Sequence, residues 1–118
     1  MKKIVFLLLC ILAFNCNASK DYNLITGTWH CGTWIVESSG KDLCNDEVMF
    51  NFNSDRTYKS QIGYISEQGT FEILNDQLIC YPRDKMEIGV QINKLTNDTL
   101  EFTMSRSGRK EIMTLLKQ

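Results

Sequence analysis

The sequence has little of several residue types, and each shortage excludes a class of protein. It contains one histidine, His30, whose neighbours are a tryptophan and a cysteine rather than an orienting carboxylate, which argues against Ser/His or Cys/His catalysis. Its cysteines form no CxxC motif and no second histidine accompanies them, so no metal site is predicted. The formal net charge of -1 provides no basic field for nucleic acid. We therefore expect a binding protein rather than an enzyme, with no cofactor and no nucleic-acid partner.

The sequence also lacks an apolar run long enough for a permanent membrane helix, which needs about 20 residues. Its longest run, residues 4–14, follows two lysines and precedes the small residue Ala18. This order is typical of a secretory signal peptide. It predicts a signal at residues 1–18 and a single domain at residues 19–118, exported to the periplasm or secreted.

A lipoprotein is the alternative for this leader. Cys16 would then be acylated and would anchor the chain to a membrane. The residue before it is Asn15, where the lipoprotein motif expects a small side chain. A membrane partner is predicted only in this case.

Removal of the leader would leave three cysteines in an oxidising compartment, where disulfides persist. Cys31 and Cys44 flank the longest connection, residues 37–46, and a bridge between them would attach that loop to the first strand. We predict this pair, with Cys80 as a buried thiol. A Cys31–Cys80 bridge is possible if both side chains point inward.

The mature chain reads as short segments of alternating apolar and polar residues, with turn residues between them and no segment of helical period. These predict an all-β fold of eight strands, an antiparallel up-and-down barrel with no substantial helix. An open or two-layer sheet is the alternative. The predicted strands cover residues 28–36, 47–52, 57–63, 69–74, 77–81, 86–95, 99–105 and 109–116, and a turn is predicted at residues 66–68.

The first strand carries both tryptophans of the chain. By the two-residue period, Trp29, Cys31 and Ile35 share one face, whereas His30 and Trp34 share the other. If Trp29 points into the barrel, Trp34 points out of it. Trp34 is therefore predicted to be an exposed contact for a protein partner.

Several short motifs occur in a characteristic order: Gly27-Thr28-Trp29, then Phe-x-Phe-x-x-Asp-x-Thr-Tyr at residues 50–58, then Gly-Thr-Phe-Glu-Ile at residues 69–73. In this order and spacing the chain resembles the small lipocalin-like domains of exported bacterial proteins, over residues 26–116. The resemblance implies structural roles for Gly27 and Trp29, with Trp29 packed across the closed end of the barrel.

The chain departs from the lipocalin pattern in two respects. It has no C-terminal helix, and the second and third lipocalin motifs have no clear match. The arginine that commonly lies over the barrel-end tryptophan in lipocalins has two candidates here, Arg106 and Arg109.

Two functions follow from these predictions. In the first, the barrel carries a small apolar molecule, with residues 38–46 as a lid and four inward aromatic side chains as the wall: Phe50, Tyr58, Phe71 and Phe102. In the second, the barrel acts through its surface, as an exported inhibitor of a protease or lysozyme. The bulk of the inward side chains predicts a filled interior with a small pocket at most. The core predicted around Trp29 comprises Phe50, Phe52, Phe71, Ile88, Val90 and Phe102.

Overall fold

The computed structural model describes residues 19–118, so the predicted signal peptide at residues 1–18 lies outside the described residues. All neighbouring strands are antiparallel, and the last strand pairs with the first, which closes the sheet into a barrel. The predicted eight-stranded antiparallel barrel is confirmed. The strands are β1 (Gly27–Val36), β2 (Val48–Phe52), β3 (Thr57–Ile62), β4 (Ile65–Leu74), β5 (Gln77–Pro82), β6 (Ile88–Leu95), β7 (Thr99–Arg106) and β8 (Arg109–Lys117).

The turn between β3 and β4 differs from the predicted one. Gly63 has a φ of 61°, a left-handed conformation that glycine adopts at little cost, and it reverses the chain within two residues. Residues 66–68, predicted as the turn, belong to β4. Their polar character misled the prediction, because a barrel strand presents polar residues to solvent without ending. The sixth strand likewise begins at Ile88 rather than at Met86.

One end of the barrel is closed by a short helix, α1, formed by residues 19–25. Ile25, at its end, is fully buried, as is Trp29 at the start of β1. The Trp29 indole Nε1 donates a hydrogen bond to the carbonyl oxygen of Ile25 at 2.8 Å. The helix and the tryptophan therefore seal this end together, and we call it the closed end.

A lysine lies over the Trp29 ring. Lys117 Nζ stands 5.0 Å from the ring centroid and donates a hydrogen bond to the Leu24 carbonyl at 2.8 Å. The prediction that Arg106 or Arg109 has this position is wrong, because the two arginines flank the turn between β7 and β8 at the other end of the barrel.

A β-bulge divides β1 into two halves. Opposite β8, Cys31 pairs with Leu115 and Thr33 with Thr114, so Gly32 is an extra residue. The bulge shifts the alternation, and Trp34 turns into the barrel with 6% of its surface exposed. The prediction that Trp34 is exposed is wrong, because it assumed a strict two-residue period along the whole strand.

The loop after β1 is joined to the barrel by the predicted Cys31–Cys44 disulfide, which the structure confirms with a Cα–Cα distance of 5.8 Å. Leu43 N donates to the Trp34 carbonyl at 2.8 Å, so the loop returns alongside β1. β2 pairs only with Gly27 to His30, the first half of β1. The loop lies beside the second half, which β2 does not reach. The loop is thus part of the wall rather than the predicted lid.

Candidate functional site

A cavity of about 390 Å³ lies in the half of the barrel opposite α1, near the turns after β3, β5 and β7. We call this half the open end. The cavity contradicts the prediction of a filled interior with a small pocket at most. Its volume lies near the lower limit of ligand sites, roughly 300–1,000 Å³. The large apolar side chains around it are those of Trp34, Phe50, Ile62, Leu78, Val90, Phe102 and Met104.

The inward residues of β3 form a row along one wall of the cavity, and their burial increases with depth. Ile62 is at the mouth, Ser60 follows, and Tyr58 stands nearest the closed end. Ser60 and Tyr58 are 7% and 2% exposed, so the wall becomes better buried with depth. Strand alternation alone explains why these three side chains share the interior.

A tryptophan, a carboxylate and an arginine are joined at the mouth. The Trp34 indole Nε1 donates to Glu111 Oε1 at 2.7 Å, and the Glu111 side chain is 3% exposed. Arg106 Nη1 lies 3.6 Å from the same oxygen, and the guanidinium stands 5.9 Å from the Trp34 ring centroid. These contacts hold the Trp34 ring against the cavity and partly neutralise a carboxylate that is otherwise costly to bury.

The interior also contains a hydroxyl and a thiol, both of which can donate a hydrogen bond. The Tyr58 hydroxyl is buried and has no hydrogen-bond partner among the described residues. Burial, with smaller contributions from Cys80 and Glu67, raises the pKa of Tyr58 well above its usual range. Burial and the charge of Glu67 raise the pKa of the Cys80 thiol to about 12. At neutral pH both groups are therefore uncharged.

Glu67 brings a second carboxylate to the cavity wall. Its Oε1 lies 3.3 Å from Lys85 Nζ, and the Glu67 side chain is 20% exposed. Lys85 is in the turn between β5 and β6, so the pair spans the edge of the mouth. Because the lysine is half exposed, solvent screens this pair and it contributes little to stability.

The structure brings three of the four predicted wall residues together. Phe50, Tyr58 and Phe102 line the cavity. Phe71 does not, because it belongs to the packed half, where its ring centroid is 4.9 Å from that of Phe52. Its prediction as a wall residue is therefore corrected. The predicted core members Ile88 and Val90 border the cavity instead of filling it.

Glu67, Cys80 and Glu111 were not predicted as site residues, and Trp34 was predicted as a surface contact rather than as a wall residue. The bulge concealed Trp34, although a glycine inside a strand pattern is a recognised sign of a bulge. Glu67 was placed in a turn, Cys80 was predicted as a buried thiol with no role in a site, and Glu111 had no signal beyond its inward register in β8. Within residues 19–118, no cluster of three or more His, Cys, Asp or Glu side chains is arranged to hold a metal ion. His30 is exposed on the outer face.

The chain is similar to lipocalin-like proteins in sequence pattern and in fold. The sequence model of a family described as "Lipocalin-like domain" matches residues 25–102. A lipocalin-like protein from Bacteroides uniformis ATCC 8492 is similar in structure, with 12% identity, a TM-score of 0.63 and coverage of 80% of this chain and 98% of that one. An uncharacterized protein from Bacteroides eggerthii DSM 20697 is also similar in structure, with 10% identity, a TM-score of 0.63 and coverage of 79% of this chain and 98% of that one. At these identities the structural likeness shows the fold alone. No curated protein matches the sequence.

Proposed function

Because the chain belongs to the lipocalin-like domain family, we propose that it is a non-enzymatic binding protein that takes a small, largely apolar molecule into the open end of its barrel. The observation that carries this proposal is the cavity of about 390 Å³ with its apolar lining. A concave, mostly apolar site with a few polar groups is the usual form of a small-molecule site.

The surroundings of the mouth support entry of an apolar molecule. Tyr64, Ile65, Met86 and Ile88 are exposed, and all four lie at or beside the turns after β3 and β5 that border the open end. Ile65 and Ile88 also line the cavity. The apolar surface therefore continues from solvent into the interior, as a route for a poorly soluble ligand requires.

The alternative function, an inhibitor that contacts a protease or lysozyme through an exposed Trp34, is less well supported than uptake of a small molecule. The ring is 6% exposed and its Nε1 is bonded to Glu111. The residue that made a surface interaction attractive is thus part of the cavity wall.

Export of the domain is part of the same proposal. The Cys31–Cys44 disulfide supports it, because such bonds persist in oxidising compartments. Within residues 19–118, the structure has no helix long and apolar enough to cross a membrane. Mass spectrometry of the protein from its native host tests the leader: a chain that starts at Ser19 is expected, and an acylated Cys16 at the amino terminus would replace a soluble form with an anchored one.

Titration with N-phenyl-1-naphthylamine, an uncharged fluorophore that brightens in apolar sites, tests the cavity. We expect saturable binding with one site per chain. A matched pair on β6 locates the site: Val90→Trp fills the cavity from an inward position, whereas Gln91→Trp adds the same bulk to the neighbouring exposed position. The first variant should lose binding and the second should retain it. Equal affinity in both folded variants would contradict binding inside the barrel.

A further inference from the structure

The Tyr58 hydroxyl is the most unusual polar group of the barrel. The residue is 2% exposed, and its hydroxyl oxygen is shielded from solvent with no hydrogen-bond partner among the described residues. Buried polar groups in native proteins are almost always hydrogen-bonded, because leaving one unpaired costs free energy. An exception of this kind calls for a partner that residues 19–118 do not supply.

The position of Tyr58 indicates where that partner would be. Tyr58 lines the cavity at its deep end, and Cys80 and Glu67, which contribute to the raised pKa of its hydroxyl, line the same cavity. The hydroxyl is thus grouped with cavity side chains rather than with the outer face of the barrel. Because it stays protonated at neutral pH, it can donate to a ligand oxygen.

The charges around the cavity restrict the ligand further. Glu67 lines the wall, and its oxygen is paired with Lys85 at 3.3 Å. The cationic side chain in the lining, Arg106, lies at the mouth beside Glu111 and over Trp34. A ligand carboxylate would pass Glu67 at the mouth, and deeper in the cavity, beside Tyr58, the lining residues offer it no cation. Burying an unpaired charge there is costly.

We propose that the molecule taken up by the barrel is uncharged, with an apolar body and one ketone, ester or alcohol oxygen that accepts a hydrogen bond from the Tyr58 hydroxyl. This inference rests on the proposed binding function and adds the chemical class of the ligand. The tyrosine sets the depth and orientation of the ligand, while the apolar wall supplies most of the affinity.

Two uncharged fluorophores separate the hydrogen bond from apolar contact. The ketone 6-propionyl-2-(dimethylamino)naphthalene offers a carbonyl oxygen, whereas N-phenyl-1-naphthylamine has none. Tyr58→Phe should weaken binding of the ketone by roughly 3- to 10-fold, as for loss of one hydrogen bond, and leave the amine unchanged. Emission of the bound ketone should also shift to shorter wavelength, since its carbonyl loses a donor.

The chain provides a matched control. Tyr22 is a second tyrosine whose hydroxyl has a protein partner, the backbone N–H of Ile73 at 2.8 Å, and it lies outside the cavity lining. Tyr22→Phe should leave the binding of both fluorophores unchanged. Thermal unfolding of both variants checks that the barrel remains folded.

Competition with decanol and decanoate tests the charge requirement, because the two differ in their head group. Decanol should displace N-phenyl-1-naphthylamine at concentrations at least about 10-fold lower than decanoate, because an anion buried without a cation beside it is unfavourable. Equal displacement by decanoate would overturn the uncharged class. An equal effect of Tyr58→Phe on both fluorophores, or no effect on either, would overturn the hydrogen bond while leaving cavity binding intact. Failure of the unmodified protein to bind any of these probes would instead contradict the binding function itself.

Discussion

The two ends of the barrel have a similar arrangement around a tryptophan. At the closed end, Trp29 Nε1 donates to the Ile25 carbonyl at 2.8 Å beneath Lys117. At the open end, Trp34 Nε1 donates to Glu111 Oε1 at 2.7 Å beside Arg106. The first end is packed, whereas the second borders a cavity of about 390 Å³. A tryptophan whose indole N–H is hydrogen-bonded and whose ring lies near a cation is therefore found both at a packed barrel end and at one that borders a cavity.

The connecting segments make the difference. At the closed end, α1 precedes β1, and Tyr22 packs on Phe71 with ring centroids 6.0 Å apart. At the open end, the segment after β1 returns alongside it, as the Val36 N to Lys41 O hydrogen bond of 2.9 Å shows. A segment that packs on the barrel end fills it, whereas one that extends the wall leaves the interior accessible.

Replacing each tryptophan with alanine tests this contrast with the largest expected effect. Trp29→Ala should lower the free energy of unfolding by about 3–5 kcal/mol, as large aromatic deletions from packed cores do. Trp34→Ala should cost less, about 2–3 kcal/mol, because its ring already borders empty space. Urea denaturation of both variants measures the difference. Equal losses would mean that the cavity does not loosen the packing around Trp34.

Removing the disulfide tests how strongly the open-end loop depends on it. The double variant Cys31→Ser, Cys44→Ser should lose roughly 3 kcal/mol, the chain-entropy value for a loop of this length. Cys80→Ser is the control, since it also exchanges a thiol for a hydroxyl but breaks no bridge, and it should change stability much less. Urea denaturation without reductant compares them, and a double variant as stable as the control would show that the loop holds its place unaided.

The two tyrosine variants compare a hydroxyl that is hydrogen-bonded with one that has no partner within residues 19–118. Tyr22→Phe should lower the free energy of unfolding by about 1 kcal/mol, because the Ile73 N–H loses its acceptor. Tyr58→Phe, without ligand, should leave stability unchanged or raise it, since no hydrogen bond is lost. A marked loss in thermal stability for Tyr58→Phe would reveal a partner for this hydroxyl within the protein.

Acid should weaken both ends by a small amount through aspartates that accept hydrogen bonds. The backbone N–H groups of Cys44 and Trp34 lower the pKa of Asp42, and Thr96 with Thr99 lowers the pKa of Asp98, from 3.8 in each case. A carboxyl group whose pKa is lower in the folded state stabilises that state at pH values above its unfolded pKa. This stabilisation is lost as the pH falls through the folded pKa. Asp42→Asn and Asp98→Asn should therefore each show a shallower loss of stability below about pH 4 than the unmodified chain. Equal acid profiles would contradict these linkages.

The closed end was the more predictable of the two. A Gly-Thr-Trp motif at the start of β1 and a preceding apolar Ile25 are local in sequence and meet across one turn of chain. The place over Trp29 was nevertheless assigned to an arginine, whereas Lys117 fills it from the last strand. Contacts between distant segments depend on how the barrel closes, and a local sequence motif carries no information about closure.

At the open end, the register of β3 correctly placed Tyr58 inside, whereas the register of β1 was wrong beyond Gly32. A single extra residue reverses the face of every later side chain in a strand. This is why Trp34, expected on the surface, became a wall residue, and why its hydrogen bond to Glu111, 77 positions along the chain, could not be anticipated.

The sequence alone determined the number of strands and their antiparallel order, and it favoured the Cys31–Cys44 bridge over a Cys31–Cys80 one, because alternation, turn residues and cysteine spacing are local properties. The tertiary structure decided which interior positions are packed and which enclose space. That outcome depends on how side-chain volumes from several strands add up at each level of the barrel and on whether a connecting segment covers the end. It is also the tertiary structure that leaves the Tyr58 hydroxyl beside a cavity without a partner from residues 19–118, since the absence of a hydrogen bond is a property of the whole surroundings and not of the residue.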